Sequence, residues 1–145
     1  MLVDFQQAFA DLVATPELCR QVRADPAVLV ARYQLSEREH ARLVVIARDR
    51  GMRCNCMLYR ANRLAPIAMH LAELCTALGA RLAPLMHEYW GSHPGVNAHF
   101  LLESRAFCAF LASAVLPGGP LQEPVLALLA SATADLDARI ADSLS

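Results

Sequence analysis

The sequence predicts an all-α protein, a single compact bundle of about seven helices. Three observations carry this expectation. Apolar residues recur at three- and four-residue spacing along most of the chain. Several segments open on a capping residue followed by proline or glutamate at the right offset. No alternating strand pattern and no hairpin turn occurs anywhere in the 145 residues.

Phe5, Phe9, Leu12 and Val13 follow Asp4 at helical spacing, which makes Asp4 the expected N-cap of a first helix. Thr15-Pro16 restarts a helix, with threonine as cap and proline at the first helical position. Asp25-Pro26 repeats the device for a short helix ending near Tyr33. Ser36-Glu37-Arg38-Glu39 reads as a capping box, and the helix it opens should close at Gly51 in a left-handed conformation. A further helix runs from about Arg53 to Thr76 and contains Pro66. That proline removes the hydrogen bond to the Asn62 carbonyl, so a kink or two shorter helices are expected. Gly79 separates this segment from ARLAPLMHEYWG, and SHPGVN is the clearest loop. AHFLLESRAFCAFLASAVL, a PGGP break and a last helix from Leu121 onward complete the chain. Residues 1–145 are read as one domain, with a helical subdomain over 1–51 and a second helical region over 52–145.

Hydrophobic residues make up 56% of the chain, above the usual share for a globular domain. Such an excess suits either a tightly packed helical core or an apolar face kept for a partner. Charged residues or histidine interrupt every apolar run short of the ~20 residues that span a bilayer. The N-terminus lacks a basic stretch and places Asp4 where a signal peptide is apolar; five cysteines without a disulfide-rich scaffold suit reduced thiols. A cytoplasmic protein is expected. A net charge of −1 argues against general nucleic-acid binding, but the charge is unevenly placed. Residues 48 to 63 hold five arginines against Asp49 alone, while all basic residues of the chain are arginine. Arginine makes better bidentate contacts to carboxylates than lysine.

Cys54 and Cys56 invite a metal or redox reading. On a helix they point about 200° apart, and no second ligand pair accompanies them, so buried helix residues are the simpler expectation. His87, His93 and His99 flank the SHPGVN loop, and His99 lies one turn from Glu103, but no established metal-ligand spacing is present. Nucleophile elbows, phosphate loops and dinucleotide fingerprints are absent from the sequence. The most unusual cluster is Tyr59-Arg60-x-Asn62-Arg63. On a helix, Asn55, Tyr59, Asn62 and Pro66 form one stripe and Cys56, Arg60 and Arg63 the next. Met57, Leu58, Ala61, Leu64 and Ala65 occupy the opposite side and are assigned to the core. A tyrosine and two asparagines on one face either tie the helix to a neighbouring loop or meet a partner. Tyr89 and Trp90, beside the loop, pose the same choice.

From Leu58 to Leu111 the chain resembles the small partner proteins of multinuclear iron-dependent peptide-modifying oxidases, known from methanobactin and 3-thiaglutamate biosynthesis. The resemblance rests on Tyr59-Arg60-x-Asn62-Arg63, Leu78-Gly79, Tyr89-Trp90, Pro94 and Phe107-x-x-Phe110-Leu111. It implies a non-catalytic subunit that forms a heterodimer with a TIM-barrel enzyme holding the iron. Such a subunit helps deliver a ribosomally made precursor peptide for oxidation at cysteine, and binds no cofactor itself. Tyr59, Arg60, Asn62, Arg63, Tyr89 and Trp90 are then the residues expected at the docking or peptide-binding surface, with Phe107 and Phe110 in the core behind it. One departure is the tail. Many members end in a strand-containing peptide-recognition module, whereas the helix from Leu121 onward leaves helix or loop contacts to do that work. The N-terminal PELCRQVRADPAVLVARYQLSERE is similar to a pattern of small helical subunits of extradiol ring-cleaving dioxygenases and of long leader peptides in modified-peptide clusters. The alternatives are therefore a small dioxygenase subunit, or a metal protein using Cys54, Cys56 and the His87 to His99 region.

Overall fold

A computed structural model describes residues 2–93, 99–113, 116 and 118–143. Among these there is no strand, and the all-α class holds. The elements are α1 (Leu2–Ala14), α2 (Pro16–Ala24), α3 (Ala27–Arg32), α4 (Glu37–Arg48), α5 (Arg50–His70), α6 (Ala72–Leu78), a 3-10 turn (Gly79–Arg81), α7 (Leu82–Ser92), α8 (Phe100–Leu111) and α9 (Glu123–Ser143). No helix of the described residues is long and apolar enough to cross a membrane. The chain divides into two compact units, Met1–Ala61 and Asn62–Ser145. The division falls inside α5, ten residues beyond the junction placed after residue 51 by the sequence.

In the N-terminal unit, local sequence sets the helix ends closely. Pro16 sits in the first turn of α2 behind Thr15, although the threonine side chain makes no cap hydrogen bond. The Asp25 carboxylate accepts from the Ala27 amide at 3.0 Å at the start of α3. Ser36 and Glu39 form the full capping box of α4: the Glu39 amide donates to Ser36 Oγ at 3.3 Å, and the Ser36 amide to Glu39 Oε2 at 2.8 Å. A cap of this kind contributes about 1 kcal/mol. Two boundaries differ from expectation. Helix α1 already starts at Leu2, so Asp4 lies within its first turn, where its charge suits the helix dipole. Gly51 does not close α4. Asp49 leaves the helix at φ −64°, ψ 142°, and its carboxylate accepts from the Gly51 amide at 2.6 Å, which opens α5 at once. Gly51 is not in a left-handed conformation, and a Cβ there would stand 2.9 Å from that same Asp49 oxygen, which would have to shift. The core of this unit is built from Leu12, Leu18, Val22, Leu29, Leu43, Met52 and their neighbours.

The C-terminal unit packs Ile67, Leu74, Leu85, Tyr89, Phe107, Leu111, Leu129 and Leu136 together. Pro66 is buried inside α5 without ending it. The break comes at Leu71, with φ −125° and ψ 32°, followed by α6. Ser104 Oγ donates to the Pro66 carbonyl at 3.0 Å, which ties α8 to α5 beside the proline. Gly79 takes φ +51° after α6, which fits the separator expected there. Pro124 sits in the first turn of α9, as the sequence suggested.

Candidate binding site

The six residues singled out in the sequence separate into different environments. Tyr59 and Arg60 belong to the N-terminal unit and are half-buried; Asn62 is exposed; Arg63 and Tyr89 are buried; Trp90 is half-buried and packs against the C-terminal core. A surface role for Arg63 and Tyr89 is therefore corrected. Arg63 is 1% exposed, and its Nε donates to Glu103 Oε1, itself 0% exposed, at 2.8 Å. Its Nη1 donates to the His93 carbonyl at 2.6 Å, and the guanidinium lies 5.1 Å from the centre of the Tyr89 ring. Tyr89 in turn donates to Glu103 Oε1 at 3.2 Å. Burial first, and then the Glu103 charge, push its hydroxyl up to about 12, so it stays a donor at neutral pH. Glu103 lies in the first turn of α8, and its buried carboxylate is compensated by the bonds it accepts from Arg63 and Tyr89. The pairing with Glu103 was missed: the sequence aligned that carboxylate with His99, and only the fold brings Arg63 to it from 40 residues away. Pro94, part of the resemblance pattern, lies outside the described residues.

The face of α5 assigned to the core is also corrected. Met57 is 71% exposed and Leu58 61%, Ala61 and Ala65 are exposed, and Leu64 is half-buried. The buried row is Met52, Cys56, Arg63, Pro66 and Ile67. Apolar content alone points to the other face. Arg63 is carried inward because Glu103 compensates its charge.

Outside this ion pair, a concavity lies wholly in the N-terminal unit. It encloses about 430 Å³ and is lined by Pro16, Cys19, Arg20 and Arg23 of α2 and by Met52, Arg53, Cys56, Met57 and Arg60 of α5. Both sets follow helical spacing, so each helix turns one row toward the space. Four of the nine lining residues are arginines and none is acidic. Glu17 stands beside the cavity and takes Arg60 at 3.0 Å and Arg20 at 3.3 Å. Arg23 is held differently, its Nε donating at 2.7 Å to the Ala47 carbonyl in the last turn of α4. Arg53 makes no ion pair among the described residues. Arg60 thus joins a cluster with Arg20, Arg23 and Arg53, three residues the sequence reading did not single out. Arg53 was visible there within the basic run, but Arg20 and Arg23 sit in a segment whose charge looked unremarkable.

The floor of the cavity is formed by two thiols. Cys19 and Cys56 donate to the same Leu12 carbonyl at 3.1 and 3.3 Å. Burial pushes the Cys19 thiol up to about 12 and raises Cys56 as well, so both remain protonated near neutral pH. Cys54, expected to be buried, is exposed instead. Native iodoacetamide treatment followed by peptide mass spectrometry should therefore modify Cys54 within minutes. Cys19, Cys56 and Cys108, all buried, should react only after denaturation, with the half-buried Cys75 in between; fast adducts on Cys19 or Cys56 would show that the cavity floor is open to reagents. His87 and His99 are exposed, while His93 stacks on Tyr89 with ring centres 4.9 Å apart. Comparisons with protein-family models, with curated proteins and with solved structures return no match for this chain.

Proposed function

We propose that this chain is a non-catalytic accessory subunit of a cytoplasmic, multinuclear iron-dependent peptide oxidase. It docks on the TIM-barrel enzyme that holds the iron and helps position a ribosomally made precursor for oxidation at cysteine. The reading starts from the Tyr59 to Leu111 residue pattern. The single structural observation that supports it is on α5, the helix that bears the Tyr59-Arg60 motif. There Met57 and Leu58 stand largely in water next to the arginine-lined cavity. Covering side chains of this size stabilises a complex by about 1.5–3 kcal/mol each when burial is complete. An apolar pair beside concentrated positive charge suits an interface with a hydrophobic centre and a polar rim.

Co-expression with a candidate iron enzyme and its precursor tests the reading. The wild-type chain should co-purify with the enzyme and raise its turnover of the peptide. Leu58→Glu, at an exposed position, should fold normally yet cut the recovered complex by an order of magnitude. A chain that remains monomeric beside the enzyme and leaves peptide oxidation unchanged defeats the proposal. The dioxygenase-subunit alternative gains nothing from the fold. Asp25, Ser36 and Glu39 of its sequence pattern serve as helix caps, and Tyr33 donates to Asp11 at 2.6 Å, all of which are roles in folding.

A further inference from the structure

We infer that the cavity lined by α2 and α5 is a subsite for a carboxylate side chain of a peptide, with aliphatic residues on either side of that carboxylate. The inference deepens the function proposed above, because it names the chemistry of the peptide segment this chain would hold. Its volume of about 430 Å³ falls in the range of pockets that bind small ligands and individual side chains. Its walls supply four guanidinium groups and no carboxylate. Glu17, at the edge, is shared between Arg20 and Arg60, while Arg23 and Arg53 line the space without an ion pair among the described residues. Guanidinium forks match carboxylates in a two-bond geometry, and such charge-assisted bonds are roughly twice as strong as neutral ones.

The remaining lining decides what accompanies the anion. Pro16, Met52 and Met57 are apolar, and the two thiols of the floor are neutral and already donate to Leu12. This surface favours aliphatic side chains flanking the acid. A nucleic acid fits less well: no aromatic residue lines the cavity for a base to stack on, and the net charge of the chain is −1. Peptide capture here requires neither a strand edge nor the tail of the chain. An acidic segment could therefore be held even though the residues after Leu121 form a helix.

Isothermal titration of the full chain alone, without any enzyme, tests the assignment. The probes are a capped hexapeptide of alternating leucine and glutamate, its leucine–glutamine counterpart, and inorganic phosphate. The glutamate peptide should bind at least about ten-fold more tightly than the glutamine one, with affinity falling as salt rises. Arg53→Ala removes an exposed side chain that has no ion pair among the described residues, so it should leave the melting temperature unchanged. It should weaken the glutamate peptide by about ten-fold. Arg48→Ala, outside the cavity, should leave binding as it is. Equal affinity for the two peptides, or no binding of either, overturns the inference. So does an unaffected Arg53→Ala, an equally weakened Arg48→Ala, or phosphate binding as tightly as the peptide. Because no enzyme is present, a failed titration leaves the docking proposal standing, and a failed co-purification leaves the subsite standing.

Discussion

Glu103→Ala is expected to destabilise the C-terminal unit by about 3–5 kcal/mol, the cost typical of stranding one partner of a buried ion pair. The carboxylate accepts from Arg63 and from Tyr89, so its loss leaves a guanidinium and a phenol hydroxyl buried with fewer partners. Solvent cannot easily rescue them, since Arg63 is 1% exposed. The comparison with other variants separates charge from packing. Glu103→Gln keeps an oxygen for both donors and loses the charge, so its cost should be intermediate. Replacing both partners together, as Arg63→Met with Glu103→Leu, should cost less than Glu103→Ala alone, because no charge is left unpaired. Chemical denaturation followed by circular dichroism reads all three. A Glu103→Ala midpoint equal to wild type would mean that the pair contributes nothing to folding.

Phe107→Ala comes next in size, at about 3–5 kcal/mol for emptying a fully buried aromatic position. Phe107 lies edge-on to Tyr89 at 5.3 Å and close to Phe110 at 6.1 Å. Its ring is therefore part of the dry wall that keeps the Tyr89 hydroxyl protonated up to about 12. Water admitted into the vacated space should lower that value toward the ordinary phenol range near ~10. The sign for stability follows from the raised folded value. Tyr89 contributes in full below about pH 10, and its contribution is lost as pH rises through about 12. Phe107→Ala should thus shrink the alkaline part of the stability profile as well as lowering its plateau. Phenolate absorbance across the titration gives the first readout, and denaturant midpoints at pH 8 and pH 11 give the second. An unchanged phenolate midpoint in a folded Phe107→Ala protein would separate the ring from the control of Tyr89.

Helix identity and several ends were legible because they depend on a few adjacent residues. Ser36 with Glu39, Thr15-Pro16 and Gly79 each carry their instruction within a single turn of chain. Gly51 was misread because two local rules compete there. A glycine after an apolar run signals a stop, but Asp49 two residues earlier also caps the next helix, and the cap prevails. The face that α5 buries could not be read from periodicity. Met57 and Leu58 look like core residues, whereas the inward row contains an arginine whose acceptability depends on a carboxylate distant in sequence. The cavity was partly visible. The basic run from residue 48 to 63 points at α5, but Arg20 and Arg23 become part of a site only when α2 packs beside it.

The division between Ala61 and Asn62 falls within α5, since residues 50 to 70 are helical. Arg60 and Arg63 flank that division, and each is tied by its guanidinium to a carboxylate of its own unit, Arg60 to Glu17 and Arg63 to Glu103. The halves are consequently poor candidates for inheritance as interchangeable cassettes. A recombination or cleavage point placed at the division severs a helix in mid-course and leaves each piece with a frayed end. The turn at Gly118 and Gly119, with φ of +81° and +84°, is no easier a place to cut, because Arg81 donates to the Gly119 and Pro120 carbonyls and holds it.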